Sequence, residues 1–172
     1  MRDMTNRRVD AGERADLLEA LQAHRGLLLH TLRDLSDEQA ARRTTVSQLC
    51  LGGLVKHLTR METLWLDFVL GRPGGPGQPG GREYHERSFH MVPGETLAEL
   101  LAAYERATQA TDEAVDSVDL DVSHLLPPAP WFPPDARRSN RRVFLHVIAE
   151  TAQHAGHADI IREALDGAKT MG

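Results

Sequence analysis

The helix nearest the C-terminus of this chain carries a stripe that should be apolar throughout and is not. Val143, Val147, Glu150, His154, His157 or Ala158, Ile161 and Leu165 follow the alternating three- and four-residue step of a core-facing helix surface. A carboxylate and up to two imidazoles therefore point inward. Burying them without partners is costly, and one bound cation satisfies them all. Because a single helix supplies only a pair of ligands, a fold that accommodates this stripe must bring a second element against it.

Three further segments have the same helical period. From about Ala11 to Leu35, an inward stripe is formed by Leu17, Leu21, Leu28, Leu32 and Leu35, with His24 interrupting it. Ser36-Asp-Glu-Gln39 then reads as a capping box opening a short extra turn. From about Leu51 to Leu70, Leu54, Leu58, Met61 and Trp65 share a face with His57, and Gly71 stops the helix. From about Glu95 to Val118, Thr96-Leu-Ala-Glu99 is a second capping box, ahead of an inner surface that includes Leu97, Leu101, Tyr104 and Val115. The last helix starts near Ser139 or Asn140, either of which can cap it, and stops at Gly167.

Two connectors separate these elements. Gly71 to Gly81 holds no side chain able to join a core and reads as mobile. Val122 to Asp135 carries five prolines around Trp131 and Phe132, and reads as a stiffer segment able to cover one end of the bundle as a lid. No strand or internal repeat is evident. The expected class is all-α: one four-helix-bundle domain over 1–172, with long connectors between helices 2 and 3 and between helices 3 and 4. Residues 1–10 and 168–172 are expected to be loosely ordered tails.

The charge balance excludes several functions. A net charge of −5 and a pI near 6.0 give no dense basic face for nucleic acid or an anionic membrane. No uncharged run approaches membrane-spanning length and no secretory segment is visible, so the cytoplasm is the expected compartment. Cys50 is the only cysteine, which excludes an internal disulfide and a cysteine-built zinc site. Any metal must be held by His and carboxylate.

The candidate ligand set is His57, Glu150 and His154: an i, i+4 pair on one helix, completed by an imidazole from another. Three protein ligands leave a coordination position open, as in catalytic sites. The bland alternative is a buried Glu–His hydrogen bond beside a satisfied core histidine. His157 is an alternative ligand or a partner behind His154. His146 and His24 are read as hydrogen-bonded at the bundle edge, and His30, His85, His90 and His124 as surface residues. Cys50 is read as packing rather than a nucleophile. Trp65 and Trp131 are candidate pocket-lining residues, although Trp65 also fits the core. Glu-x-x-x-His is not the His-Glu-x-x-His of zinc peptidases, and neither Gly-x-Ser-x-Gly nor a Walker loop occurs.

Leu51-Gly-Gly-Leu-Val-Lys-His57-Leu-Thr-Arg-Met-Glu62-Thr-Leu-Trp65, with Leu145 to Gly167 and its His154-Ala-Gly-His157-Ala-Asp159 run, resembles the DinB-like superfamily. The resemblance covers Glu13 to Gly167 and is closest to an actinobacterial-type subfamily of unknown function. It implies a bundle of unusual helix order with a divalent metal, often zinc or nickel, between the second and fourth helices. Where many members have a His-x-x-x-His pair on the last helix, this chain has Glu150 in the first place. In that respect it is similar to the metal-binding domain of mycothiol-dependent maleylpyruvate isomerases, whose motif maps onto His57, Glu150 and His154. Those isomerases carry a further C-terminal domain, and none is expected here after Gly167. Shorter relatives include thiol S-transferases using mycothiol or bacillithiol, and the Arg-rich composition, with only Lys56 and Lys169 as lysines, fits a mycothiol-making host.

The leading expectation is a metal-dependent S-transferase that joins a mycothiol-like thiol to a small electrophile, with zinc first and nickel, iron or manganese as alternatives. The alternatives are a hydrolase or isomerase using metal-bound hydroxide, and a non-catalytic metal- or ligand-binding stress protein. A homodimer is left open.

Overall fold

In the computed structural model, which describes residues 2–73, 75–76, 88–128 and 132–170, the chain is built almost wholly of helices. The elements are α1 (Arg2–Thr31), α2 (Asp37–Ala41), α3 (Leu51–Val69), α4 (Leu97–Ser117), β1 (Ser123–Leu125), β2 (Arg137–Ser139) and α5 (Asn140–Asp166). Trp131, His85 and most of the Gly71–Gly81 connector fall outside the described residues.

Local chemistry sets most boundaries. Ser36 and Gln39 close the capping box of α2, and Thr96 and Glu99 that of α4, each side chain satisfying the other's otherwise orphaned backbone donor. The side chain of Ser139 accepts from Arg142 N and caps α5, while Gly167 ends it in the left-handed region at φ 82°. Helix α1 begins at Arg2, ahead of the expected Ala11, and stops at Thr31 instead of Leu35. Asp34, at φ 58°, turns the chain there, and Arg162 of α5 donates to the carbonyls of Thr31 and Arg33. The segment after α5 folds back, with Thr170 N donating to Asp159 Oδ1 at 2.7 Å.

Each long helix turns its apolar stripe to one core. Leu17, Leu21 and Leu28 from α1 meet Leu54, Leu58 and Trp65 from α3, Tyr104 and Val115 from α4, and Val143, Val147 and Ile161 from α5. Helix α1 packs chiefly on α5 and also on α4, and α3 packs on α4 and α5. The first two long helices therefore face one another across the bundle axis instead of lying side by side. This order sets α3 beside α5, where a ligand set shared between them can form.

Two features depart from the sequence expectation. The described start of the Val122–Asp135 region is tied down: Ser123–Leu125 pairs antiparallel with Arg137–Ser139, with His124 opposite Arg138. Asn140 pins this ribbon to the start of α5, its Oδ1 accepting from His124 Nε2 and its Nδ2 donating to Asp119 O. His124 is half-buried as a result and not a surface residue.

The second departure is a buried ion cluster on the bundle axis. Arg25 is 5% exposed and Glu62 0%. Arg25 donates to both Glu62 oxygens, at 3.1 and 2.6 Å, and to Asp112 Oδ1 at 2.6 Å, tying α1, α3 and α4 together. Burial opposes the Arg25 charge, but Glu62 and Asp112 outweigh it and raise the guanidinium pKa. Burial also lifts the Glu62 carboxyl above the usual range, against the pull of Arg25 and Thr111. His24, the expected interruption of the α1 stripe, is only half-buried; the inward charge is its neighbour Arg25.

Candidate metal centre

Helices α3 and α5 bring His57, Glu150 and His154 to one place. One nitrogen from each imidazole and one Glu150 oxygen all lie within 4.8 Å of one another. Glu150 Oε2 is 3.7 Å from His154 Nε2 and 4.0 Å from His57 Nε2. His57 and His154 are 6% and 8% exposed, and the Glu150 side chain 28%. The two rings are walled in and the carboxylate reaches toward solvent, so the set is open on one side.

Each ring has its other nitrogen engaged. His57 Nδ1 lies 3.3 Å from Ser88 Oγ, and His154 Nδ1 lies 3.2 Å from His157 Nδ1. Such contacts fix ring orientation and tautomer, and both Nε2 atoms face Glu150. His157 thus stands behind His154, the second of the two roles its sequence position allowed, and not within the three-residue set.

Ser88 and the ring of Phe89, stacked on His57 with centroids 4.1 Å apart, reach the site because α3 begins with Gly52 and Gly53. A Cβ at Gly53 would lie 1.9 Å from Phe89 O, and one at Gly52 would lie 2.2 Å from Met91 Sδ. Only glycine lets the 88–91 segment approach so closely. Ser88 is invisible to periodicity, since it follows the glycine-rich connector and belongs to no amphipathic stripe. The Gly-Gly pair one turn before His57 was the available signal.

The second Glu150 oxygen has its own neighbour. His146 Nε2 is 3.7 Å from Glu150 Oε1, so His146 belongs to the polar patch at the site. Its pKa is lowered, first by burial and then by Arg138 and Arg142, with Glu150 opposing. The His57 ring facing it at 4.0 Å is the main cause holding the Glu150 carboxyl below its usual value, against burial and with help from His146 and His154. A carboxylate set between imidazoles is the donor chemistry of a divalent transition metal.

Trp65, a buried core residue, meets the His146 ring at 4.9 Å and the Phe68 ring at 5.5 Å, which puts it at the rim of this patch as well as in the core. Cys50 is buried and donates to Phe89 O, in keeping with packing and not nucleophilic attack. His30 is exposed, and His90 Nδ1 lies 3.4 Å from Arg43 Nη2.

Among the described residues, no helix is long and apolar enough to cross a membrane. A crystal structure described as the conserved protein of locus from Enterococcus faecalis matches the fold with a TM-score of 0.69, over 88% of this chain and 96% of that one, at 13% identity. That likeness speaks to the fold alone. No curated protein matches the chain in sequence. Residues 16–167, a span that takes in all three members of the His/Glu/His set, match the sequence profile described as Mycothiol-S-transferase, and the chain belongs to that DinB-like family.

Proposed function

We propose that the protein is a metal-dependent S-transferase, in which His57, Glu150 and His154 hold a divalent ion, zinc before nickel, iron or manganese, and a mycothiol-like thiol is joined to a small electrophile. The observation that carries this reading is the convergence of both Nε2 atoms on Glu150 Oε2, with each Nδ1 already engaged. Tetrahedral zinc with bonds near 2.0–2.1 Å needs ligand atoms roughly 3.3 Å apart. Separations of 3.7 and 4.0 Å from Glu150 Oε2 are near that spacing, and the whole set, which spans up to 4.8 Å, closes on an ion by side-chain rotation. The donor set therefore fits the ion.

When bound, such an ion lowers the pKa of a thiol entering its open position, as it does for water. The rest falls to the protein's own groups. Glu150 contributes the negative charge that offsets the cation, and Ser88 and His157 hold the two imidazoles in register. The stacked Phe89 shields His57 from water. No side chain need act as nucleophile. The cytoplasm, where small thiols stay reduced, suits this chemistry.

The test is conjugation of a thiol to a test electrophile by metal-loaded protein. Wild type should turn over, and His154→Ala should lose activity together with bound metal. Equal rates for the two would end the reading. Turnover of an ester or amide without added thiol would instead favour metal-assisted hydrolysis.

A further inference from the structure

Among the described residues, one guanidinium beside the site has no counter-ion. Arg138 on β2 stands directly opposite His124 on β1, and opposed residues of an antiparallel pair project to the same face. That face lies on α3. Arg138 Cζ is 4.8 Å from the centre of the Trp65 ring and 5.4 Å from that of Phe132, while His124 meets Phe68 at 5.3 Å. Trp65 in turn meets His146, whose Nε2 is 3.7 Å from Glu150 Oε1. A single aromatic ring thus separates Arg138 from the polar patch at the metal centre.

Other arginines of the described structure show what satisfaction looks like. Arg25 has Glu62 and Asp112, Arg141 has Glu13 and Asp121, and Arg162 has Asp166 and two carbonyls. Arg138 has stacking partners but no carboxylate among the described residues, and its Nη1 is buried without any hydrogen-bond acceptor. A buried guanidinium donor left unpaired is costly. The charge that acts on it is Arg142, also positive. Phe68 and His124, on the same face as Arg138, line with Arg72 and Pro127 a cleft of about 320 Å³, large enough for a small molecule.

We propose that Arg138 anchors a carboxylate on one of the two small molecules that meet at the Glu150 site, making it a specificity-determining residue. The planar fork suits bidentate recognition of a carboxylate, and Trp65 and Phe132 hold it flat for an aromatic or unsaturated ligand body. The choice of which reactant it selects rests on the transferase reading; the carboxylate site itself does not.

The decisive measurement is calorimetric titration of wild type, Arg138→Met and Arg138→Lys with benzoate and with benzamide. Wild type should prefer benzoate, Arg138→Met should weaken benzoate binding roughly 10- to 100-fold, and benzamide should be indifferent to the change. Arg138→Lys should fall between, since it keeps the charge and loses the fork, and it serves as the comparison if Arg138→Met is unstable. Equal affinity for benzoate and benzamide in wild type, or equal benzoate affinity in all folded variants, overturns the proposal.

A kinetic arm then separates the two sources of the carboxylate. It pairs 4-(bromomethyl)benzoate or its amide with mercaptoethanol, and 4-(bromomethyl)benzamide with mercaptoacetate. Arg138→Met should raise KM only for the reactant whose carboxylate is anchored, leaving the fully neutral pair unchanged; a uniform rise across all pairs marks a merely structural arginine and overturns the proposal. Absence of wild-type turnover with every pair would count against the transferase reading alone, since the titration decides on Arg138 independently.

Discussion

Among the described residues, the clusters around Glu62 and around Glu150 are built on opposite plans. At Arg25, Glu62 and Asp112, one cation meets two carboxylates through three direct hydrogen bonds, and Glu62 is fully removed from solvent. At His57, Glu150 and His154, the facing atoms stand 3.7 to 4.0 Å apart, beyond hydrogen-bond length, and the carboxylate keeps 28% of its side chain exposed. The first cluster is complete within the chain. The second is spaced for something to enter. Both occupy stripes that would otherwise be apolar, so polarity inside a helix bundle does not by itself mark a functional site. What marks it is whether the polar groups already satisfy one another.

The contrast breaks most directly at Glu62. Glu62→Ala leaves Arg25 buried without its bidentate partner and should destabilise the fold by about 3–5 kcal/mol in urea unfolding. Glu150→Ala, measured on metal-free protein, should cost well under about 1 kcal/mol, because the site is part-exposed and incomplete. Similar losses for both would erase the distinction. An Arg25→Met/Glu62→Leu double variant, which removes both charges, should recover most of the loss.

Metal titration sharpens the other side. Zinc at about one hundred times its dissociation constant should stabilise wild type by about 2.7 kcal/mol, read as a rise in Tm. Glu150→Ala and His57→Ala should show no such rise. A rise that survives either substitution would place the ion elsewhere. A smaller effect is expected behind the ligands: Ser88→Ala and His157→Ala should weaken zinc affinity roughly ten-fold or more, with metal-free stability nearly unchanged. Unaltered affinity would deny them any part in orienting the rings.

The smallest effect concerns pH and lies outside both clusters. Arg141, reaching from α5, hydrogen-bonds Glu13 on α1 and holds that carboxyl below its usual value. Since the folded-state value is depressed, the stabilisation is present above the unfolded value and disappears as pH falls through the folded one. Glu13→Gln should therefore show a slightly shallower loss of stability than wild type between about pH 5 and about pH 3. Superimposable profiles would show that the pair contributes nothing measurable.

Much of this architecture can be read from the residues because its signals are local. Two capping boxes, Ser139, Gly167 and the four stripes specify helices whose ends and inner faces need no knowledge of the rest of the chain. The His57, Glu150 and His154 set was legible for the same reason: each residue lies on a stripe, and a metal is a strong reason for polar groups to do so. Arg25 and Glu62 also lie on stripes, at the Leu21–Leu28 and Leu58–Trp65 steps, but neither helix alone announces that the two meet across the bundle axis. The β1–β2 ribbon is harder still. Its strands are three residues long, bear no alternating apolar pattern, and are joined by a proline-rich segment, so only the backbone pairing of Ser123 with Ser139 defines it. Ser88 and Arg138 owe their importance to that kind of long-range placement.

The close approach at Gly53 has a further implication. Phe89 O would sit 1.9 Å from any added Cβ there, so even a single methyl group must displace the strap that carries Ser88 and Phe89. His57 would then lose its hydrogen-bonding neighbour and its stacked ring while every proposed ligand remained in the chain. The grip of this centre on a cation is thus governed partly by an atom that is missing from the helix, and relatives could be retuned to other ions or to none through a position that never touches one.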